Sequence, residues 1–415
     1  MSTLRILHFA DAHIDIVSHG RHDPQTGLPR RVLDFLAALD TIIDTAIREK
    51  VDLVLFAGDT YKDRTPAPTF QREWGRRMKR LSKAQIPTLL LIGNHDLSPA
   101  TGRAHTLQEY ETLQIPYVRV IARPTLLGPQ DLWDLPLQIL CLPWVSRSGL
   151  VATLSEENLD PEQIYTAIEE RLSSLVQGWL ENLDPNLPAV LTAHASIQGA
   201  QYGGERSVML GNDLVLPLSM VCDPRLSYTA LGHIHKAQNL NPNASPPVIY
   251  PGSIERVDFG EAADDKFFVI AHITAGEPTQ VEWRKLDGRT FLDYKVTITS
   301  SEHVPEQCLN VLPPAEKLRN AIVRLTITYP KAFEALLDEP SLRRYAAEAL
   351  EFHLVRRPQI ETRLRLPNDC TISSLTPLDL LNLYFKTHNT PRADIAELQK
   401  LASQMIGEAT ASETT

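Results

Sequence analysis

The chain has 415 residues, of which 43% are hydrophobic and 22% charged, and a formal net charge of −10. That length allows two or three domains with a sizeable core, and the acidic balance excludes a generic polybasic coat for nucleic acid while leaving room for a local basic face. No apolar run reaches the roughly 18 residues of a membrane span, and the four cysteines, Cys141, Cys222, Cys308 and Cys370, match no zinc spacing and read as free thiols in a reducing cytoplasm.

Leu4 to Ala10 is an apolar strand with no signal peptide before it, and it opens into Asp11-Ala12-His13. Alternate side chains of extended chain share a face, so Asp11 and His13 can point at one ion. The spacing of Val32, Phe35, Leu36, Leu39, Ile43, Ala46 and Ile47 predicts a helix from about Arg30 to Lys50. A second strand, Asp52 to Ala57, ends in Gly58-Asp59. From Lys62 to Lys83 eight basic residues face only Asp63 and Glu73, a net of +6. That stretch reads either as a solvated helix face or as a DNA contact, with Lys62, Arg64, Arg72 and Arg76 as the candidate residues. Thr88 to Ile92 is a buried strand, broken by Gly93 and followed at once by Asn94-His95-Asp96. The strand–helix rhythm implies a largely parallel sheet with right-handed crossovers.

Short strands and turns follow from Tyr117 to Val145, Gln138 to Leu142 being the clearest, and then a helix from Pro161 to Leu183. Ala189 to Ala193 is a strand ending at His194. Ser196 to Asn212 reads as a long polar loop. Arg225 to Leu231 leads to Gly232-His233-Ile234-His235, and Val248 to Tyr250, Lys266 to Ile273 and Gln280 to Leu286 read as strands of a second sheet. Two sheets with helices outside give a four-layer α/β/β/α sandwich spanning residues 1–288. Strands at Phe291 to Thr299 and Ala321 to Tyr329, with helical runs between and after them, suggest a small α+β domain over 289–370. Two short apolar helices, Pro377 to His388 and Arg392 to Met405, suggest a partner-binding pair within 376–407, and 408–415 reads as a disordered tail.

The Asp and His clusters, most of them just after an apolar run, point to one chemistry. Hydrolysing a phosphodiester needs an in-line nucleophile and charge neutralisation on the phosphoryl oxygens, and two metals about 3.5–4 Å apart supply both. The ligand set in chain order is Asp11, His13, Asp59, Asn94, His194, His233 and His235. Asp59, with two oxygens, is the bridging candidate. Asp11, His13 and His235 complete one ion, and Asn94, His194 and His233 the other. Oxygen and imidazole donors without thiolate suit Mn, Fe or Zn rather than Mg or Ca. His95 is left over as the residue that stabilises the transition state or protonates the leaving oxygen, with Asp96 fixing its tautomer. His8, inside the first strand, reads as core.

These motifs resemble the five motifs of the calcineurin-like metallophosphoesterases. A sixth stretch, Tyr250-Pro251-Gly252-Ser253-Ile254-Glu255-Arg256-Val257-Asp258-Phe259-Gly260-Glu261, is similar to the segment after the last histidine motif in SbcD-type DNA repair exonucleases. The resemblance implies a manganese-dependent nuclease on DNA ends and hairpins, cytoplasmic and nucleoid-associated. It implies a homodimer, a capping domain that contacts DNA, and C-terminal helices that bind the coiled-coil base of an SbcC-type ABC ATPase. Some members carry His three residues after the bridging Asp, where this chain has Lys62, so exonuclease preference and polarity stay open. Two other readings remain at this point: a phosphodiesterase or phosphatase on small phosphate esters, and a non-catalytic DNA-end scaffold.

Overall fold

The computed structural model of the chain describes residues 3–16, 22–98, 103–145, 161–203, 215–359, 376–387, 395–396 and 398–405. In chain order the elements begin β1 (Leu4–Phe9), α1 (Arg30–Glu49), β2 (Leu53–Phe56), α2 (Pro68–Lys83), β3 (Thr88–Leu91), α3 (Gln108–Leu113), β4 (Val118–Ile121), β5 (Thr125–Leu127), β6 (Gln138–Leu142) and α4 (Pro161–Glu181). They continue as β7 (Ala189–His194), β8 (Ser196–Ile197), β9 (Val215–Leu216), α5 (Leu218–Val221), β10 (Tyr228–Gly232), β11 (Gln238–Asn239), β12 (Val248–Tyr250), β13 (Lys266–Ile273) and β14 (Gln280–Leu286). The last are β15 (Phe291–Thr297), α6 (Val304–Leu309), α7 (Ala315–Leu318), β16 (Ile322–Pro330), α8 (Glu339–Tyr345), β17 (Glu351–Gln359) and α9 (Pro377–Thr387).

Two six-stranded sheets form the first compact unit. One runs β14-β13-β1-β2-β3-β4, with β1 to β4 parallel; the other runs β11-β12-β10-β7-β6-β5, with β6, β7, β10 and β12 parallel. Alternation along each strand sorts the side chains into layers. In β1, Leu7 and Phe9 pack against α1 and α2 through Phe35, Leu39, Trp74 and Met78. Leu4 and Ile6 face inward and meet Ile139, Val190, Tyr228 and Ile249 of the other sheet. Beyond that sheet, Leu140, Leu191 and Leu231 pack on Ile168, Leu172 and Val176 of α4. The chain therefore forms the α/β/β/α sandwich that the sequence implied. His8 lies in the inter-sheet layer, where Tyr228 Oη and the Leu231 carbonyl occupy its two ring nitrogens at 2.9 and 3.2 Å, consistent with a core residue.

Three readings need correction. Lys266–Ile273 and Gln280–Leu286 were expected in the second sheet; β13 instead lies antiparallel beside β1, and β14 beside β13, in the first. The reason is that β13 is apolar on both faces. Val269, Ala271 and Ile273 enter the inter-sheet layer, while Phe268 and Ile270 join the helix layer, so its pattern does not say which sheet receives it. The third strand of the small sheet, β17, was not foreseen at all. It is an edge strand in the order β15-β16-β17 with no fully buried position, and Pro358 near its end is tolerated because an edge strand need not donate there. Ser196–Ile197, expected within a loop, pairs in parallel with Val215–Leu216.

The chain divides into two compact units, one of 1–293, 314–324 and 346–353, the other of 294–313, 325–345 and 354–415. No helix among the described residues is long and apolar enough to cross a membrane. Cys141, Cys222 and Cys308 are free thiols. Cys370, the joint between the terminal helices and the tail 408–415 lie outside the described residues.

Leu55, 1% exposed on β2, fills the layer between the sheets. Leu55→Ala is expected to cost about 2–5 kcal/mol, read as a lower urea midpoint.

Candidate metal centre

Five segments meet at one edge of the sandwich, each just past or at the carboxyl end of a parallel strand. Asp11 and His13 follow β1, Asp59 follows β2, Asn94 and His95 follow β3, His194 closes β7, and His233 and His235 follow β10. Open α/β sheets collect their sites at such strand ends. Reaching the centre demands unusual backbone: Asp11, His13, Asp59 and His233 have φ of 51, 39, 65 and 96°. Residues other than glycine enter this left-handed region only against a steric cost. Close approach also demands two glycines. A Cβ at Gly58 would stand 2.3 Å from His194 Nδ1, and one at Gly93 only 2.1 Å from Asp59 Oδ1.

Asp11, His13 and His235 each offer a ligand atom, all within 4.8 Å of one another, and Asp59, His194 and His233 do the same. Asn94 joins the second group, its Oδ1 lying 3.0 Å from His194 Nε2 and 3.0 Å from His233 Nδ1. Asp59 stands between the groups, with Oδ2 3.8 Å from His13 Nε2 and Oδ1 3.4 Å from His194 Nε2. That is the place a bridging carboxylate would need. Asp11 also accepts the His233 backbone N–H at 3.1 and 3.0 Å, tying the β1 and β10 ends together.

Three histidines are held by their outer nitrogen. His13 Nδ1 donates to the Tyr61 carbonyl at 3.2 Å, His194 Nδ1 to the Ala57 carbonyl at 2.7 Å, and His235 Nδ1 to Glu261 Oε1 at 2.8 Å. Carbonyl and carboxylate oxygens only accept, so each Nδ1 carries the proton and each Nε2 faces inward. His13 Nε2 and His235 Nε2 then lie 3.1 Å apart. Such an approach is favourable only with a proton or a cation between them, so the donor set fits a divalent metal. The acids say the same. Burial pushes Asp11 up to about 6. Burial also opposes charge on His194, yet Asp59 and Asp11 outweigh it and raise the imidazole to about 9, so positive charge is drawn into the centre.

His95 sits half-buried beside this cluster, its ring 5.2 Å from that of His13. Asp96 was expected to fix its tautomer. Instead His95 Nδ1 donates to the Lys62 carbonyl at 2.8 Å. The Asp96 carboxylate, fully buried, accepts the backbone N–H groups of Asp59, Thr60 and Gly93 at 3.0, 3.1 and 2.9 Å and the Thr106 hydroxyl at 3.0 Å. Its lone pairs are taken up in knitting the loops after β2 and β3, which places Asp59 and Asn94. Asp15 does similar work for the Lys62 loop, accepting the N–H groups of Lys62 and Asp63.

On the basic stretch, Lys62 and Arg64 are exposed. Arg72 and Arg76 both close on Glu73, at 3.0 and 2.8 Å, while Arg77 and Arg80 reach Asp40 at 2.6 and 2.8 Å. Much of the positive charge counted in sequence is thus neutralised locally.

Sequence reasoning assigned no role to Glu261, Ser253 or Lys266. Glu261 is 1% exposed; besides His235 it takes Lys266 Nζ at 2.6 Å, Ser253 Oγ at 3.2 Å and the Val257 N–H at 3.0 Å. Burial would raise its pKa, but the His235 hydrogen bond and the Lys266 charge pull it well below the usual carboxylate range. Nothing in the spacing of a lone Glu reveals such a role; only the fold brings it to His235.

The calcineurin-like phosphoesterase family matches residues 4–237. The chain is 24% identical over 390 residues to the uncharacterized metallophosphoesterase YhaO of Bacillus subtilis, covering 91% of this chain and 85% of that protein. It is 25% identical over 373 residues to the DNA double-strand break repair protein Mre11 of Archaeoglobus fulgidus, covering 86% and 74%. It is 23% identical over 289 residues to the SbcD subunit of the nuclease SbcCD of Escherichia coli K12, covering 67% of each.

Carboxylates that orient metal-binding histidines typically contribute about 10–100-fold to affinity. Glu261→Gln is expected to weaken Mn2+ binding by about that factor, measured by titration calorimetry on metal-free protein.

Proposed function

The chain belongs to the calcineurin-like phosphoesterases, and from that premise we propose that it is a metal-dependent DNA nuclease, acting at ends and hairpins as part of an SbcCD-like repair complex. The observation that carries the proposal is the convergence of Asp11, His13, Asp59, Asn94, His194, His233 and His235 from five strand ends onto one point, with His95 beside it. Similarity to a DNA double-strand break repair protein over 86% of the chain, far beyond the phosphoesterase match, favours DNA over a small phosphate ester.

Asp11, His13 and His235 would hold one ion, and Asn94, His194 and His233 the other, with Asp59 shared. Two divalent ions there, Mn2+ being the proposed pair, would supply charge neutralisation and an acidified water. The chain's own residues do the rest. The Nδ1 anchors hold the inward nitrogens in place. His95, lowered by burial, is neutral, and its bond to the Lys62 carbonyl leaves Nε2 bare. The negative charge of a bound phosphodiester would favour uptake of a proton from solvent water at Nε2, and the ring would then pass that Nε2–H to the leaving oxygen, returning to its neutral form. Lys62 presents an exposed ammonium near His13 and His95 and suits a point-charge phosphate contact.

Residues 1–288 would form the nuclease domain and 289–370 a DNA cap, with the chain acting as a homodimer. The helix pair 376–407 would bind the ATPase partner. α9 exposes Leu380 and Tyr384, and the helical residues up to Met405 expose Leu398, Leu401 and Met405, an apolar surface of the kind that marks partner contacts.

Two experiments test this. On end-labelled duplex and hairpin DNA, chelation is expected to abolish cleavage and Mn2+ to restore it, with rates falling as salt rises. His95→Ala is expected to retain metal and lose cleavage by about 100-fold or more. Turnover of small esters without a salt effect would favour a small-ester phosphodiesterase, and metal binding without any cleavage would favour a scaffold. Separately, truncation after Thr376 is expected to abolish pull-down of an SbcC-type ATPase and leave metal-dependent cleavage intact; unchanged pull-down would refute the helix-pair assignment.

A further inference from the structure

A single residue, Gly260, separates a contact with the small sheet from a contact with the candidate metal centre. Phe259 packs edge-on against Phe291 of β15, with ring centroids 5.1 Å apart and planes at 75°. It meets His353 of β17 at 5.7 Å and 84°. Arg324 of β16 lies over its face, Cζ 4.3 Å from the centroid, and is itself held by Asp293 at 2.8 Å. One ring thus touches the first residues of all three strands of the small sheet, and these belong to the same compact unit as the metal centre. Glu261, next but one in the chain, accepts the Nδ1–H of His235. A short 3-10 turn, Phe259–Glu261, joins the two, capped by Asp258 accepting the Gly260 N–H at 2.6 Å. So short a hydrogen-bonded turn cannot bend without displacing one end.

The turn is also fixed to the centre along its approach. The Ser253 N–H donates to the His235 carbonyl at 3.2 Å, and the Ile254 N–H to the Asp11 carbonyl at 3.4 Å. Glu255 accepts the N–H of Arg289 at 2.9 Å, two residues before β15 begins. One segment therefore contacts two proposed ligands and the lead-in to the small sheet.

We propose that the turn Phe259–Glu261 couples the strand roots of the small sheet to His235, Phe259 acting as a positioning residue for a metal ligand it does not touch. The coupling is reciprocal by linkage: whatever orders those strand roots tightens the ion held by Asp11, His13 and His235, and the ion in turn steadies the roots. The inference rests on reading that cluster as a metal site, not on DNA being the substrate.

The test is a double-mutant cycle on the full chain, with Mn2+ binding followed by calorimetry and amide exchange followed at 291–293 and 351–353. Phe259→Ala is expected to weaken one of the two ions about fivefold, the low end for coupled sites, and Phe259→Tyr to restore it. In the Glu261→Gln background Phe259→Ala is expected to add nothing, since the link is already cut. Mn2+ is expected to slow exchange at both strand roots in the native chain and not in Glu261→Gln. If Phe259→Ala does not fold, Phe259→Leu, which keeps bulk and loses the ring, takes its place in the cycle. Unchanged affinity in a folded variant, or losses that multiply in the double variant, would overturn the coupling. A native chain that takes up no Mn2+ would overturn the metal reading itself.

Discussion

His13 and His235 bring their Nε2 atoms to 3.1 Å of each other while each has its Nδ1–H committed to an acceptor. Around them stand two buried carboxylates, Asp11 and Asp59, and the amide oxygen of Asn94. Nearly everything that points into this space is an electron pair. Without positive charge such a cluster is unfavourable, because burial removes the water that would screen it. His194 feels the same pull: the charges of Asp59 and Asp11 raise its basicity although burial disfavours a charged ring. A divalent ion answers that pull more completely, so metal binding and the integrity of this edge are one thermodynamic question.

That convergence sets demands on the fold. Four residues hold left-handed backbone, at a cost on the order of 1–3 kcal/mol each, and they persist because their surroundings over-determine them. The Asp11 and Ala12 N–H groups are bonded to Gly58 and Asp59 carbonyls at 2.9 and 2.8 Å, and Asp96 pins the loops after β2 and β3 from beneath. The strands that carry these loops are buried on both faces, between one helix layer and the inter-sheet core. Strain at the edge is therefore sustained by packing in the middle, and the two-sheet architecture serves to bring ends from both sheets to one place.

The parts of this visible in sequence share a physical reason. Asp11, Asp59, Asn94, His194 and His233 follow apolar runs, and a strand ended by a polar cluster announces its edge. Layering could be read from the same runs, since α1 keeps one apolar face at helical spacing. What escaped was of two kinds. β13 is apolar on both faces and so carries no information about its neighbour, and β17 lies exposed at an edge with little pattern to read. The supports of the histidines escaped for a different reason. Two are backbone carbonyls, of Tyr61 and Ala57, which every residue possesses, and the third is Glu261, which is 26 residues from His235 in the chain. Proposed ligands are legible because their chemistry is rare; what orients them is common chemistry made specific by position.

The exchange of Asp96 for the Lys62 carbonyl as the partner of His95 bears directly on the proposed chemistry. A carboxylate against Nδ1 would stabilise the imidazolium and raise its pKa, as Asp59 does for His194. A neutral carbonyl fixes the tautomer with much less of that effect, and burial keeps the His95 pKa below its ordinary value. In the proposed chemistry the ring would rest neutral and take a proton from solvent once the phosphate anion stands beside it. With Asp96 directed to the loops and away from the ring, the proposed proton delivery by His95 would be conditional on a phosphodiester being in place. The same peptide that orients His95 carries the Lys62 side chain, so one loop, held by Asp15, would set both the proton donor and a nearby phosphate contact.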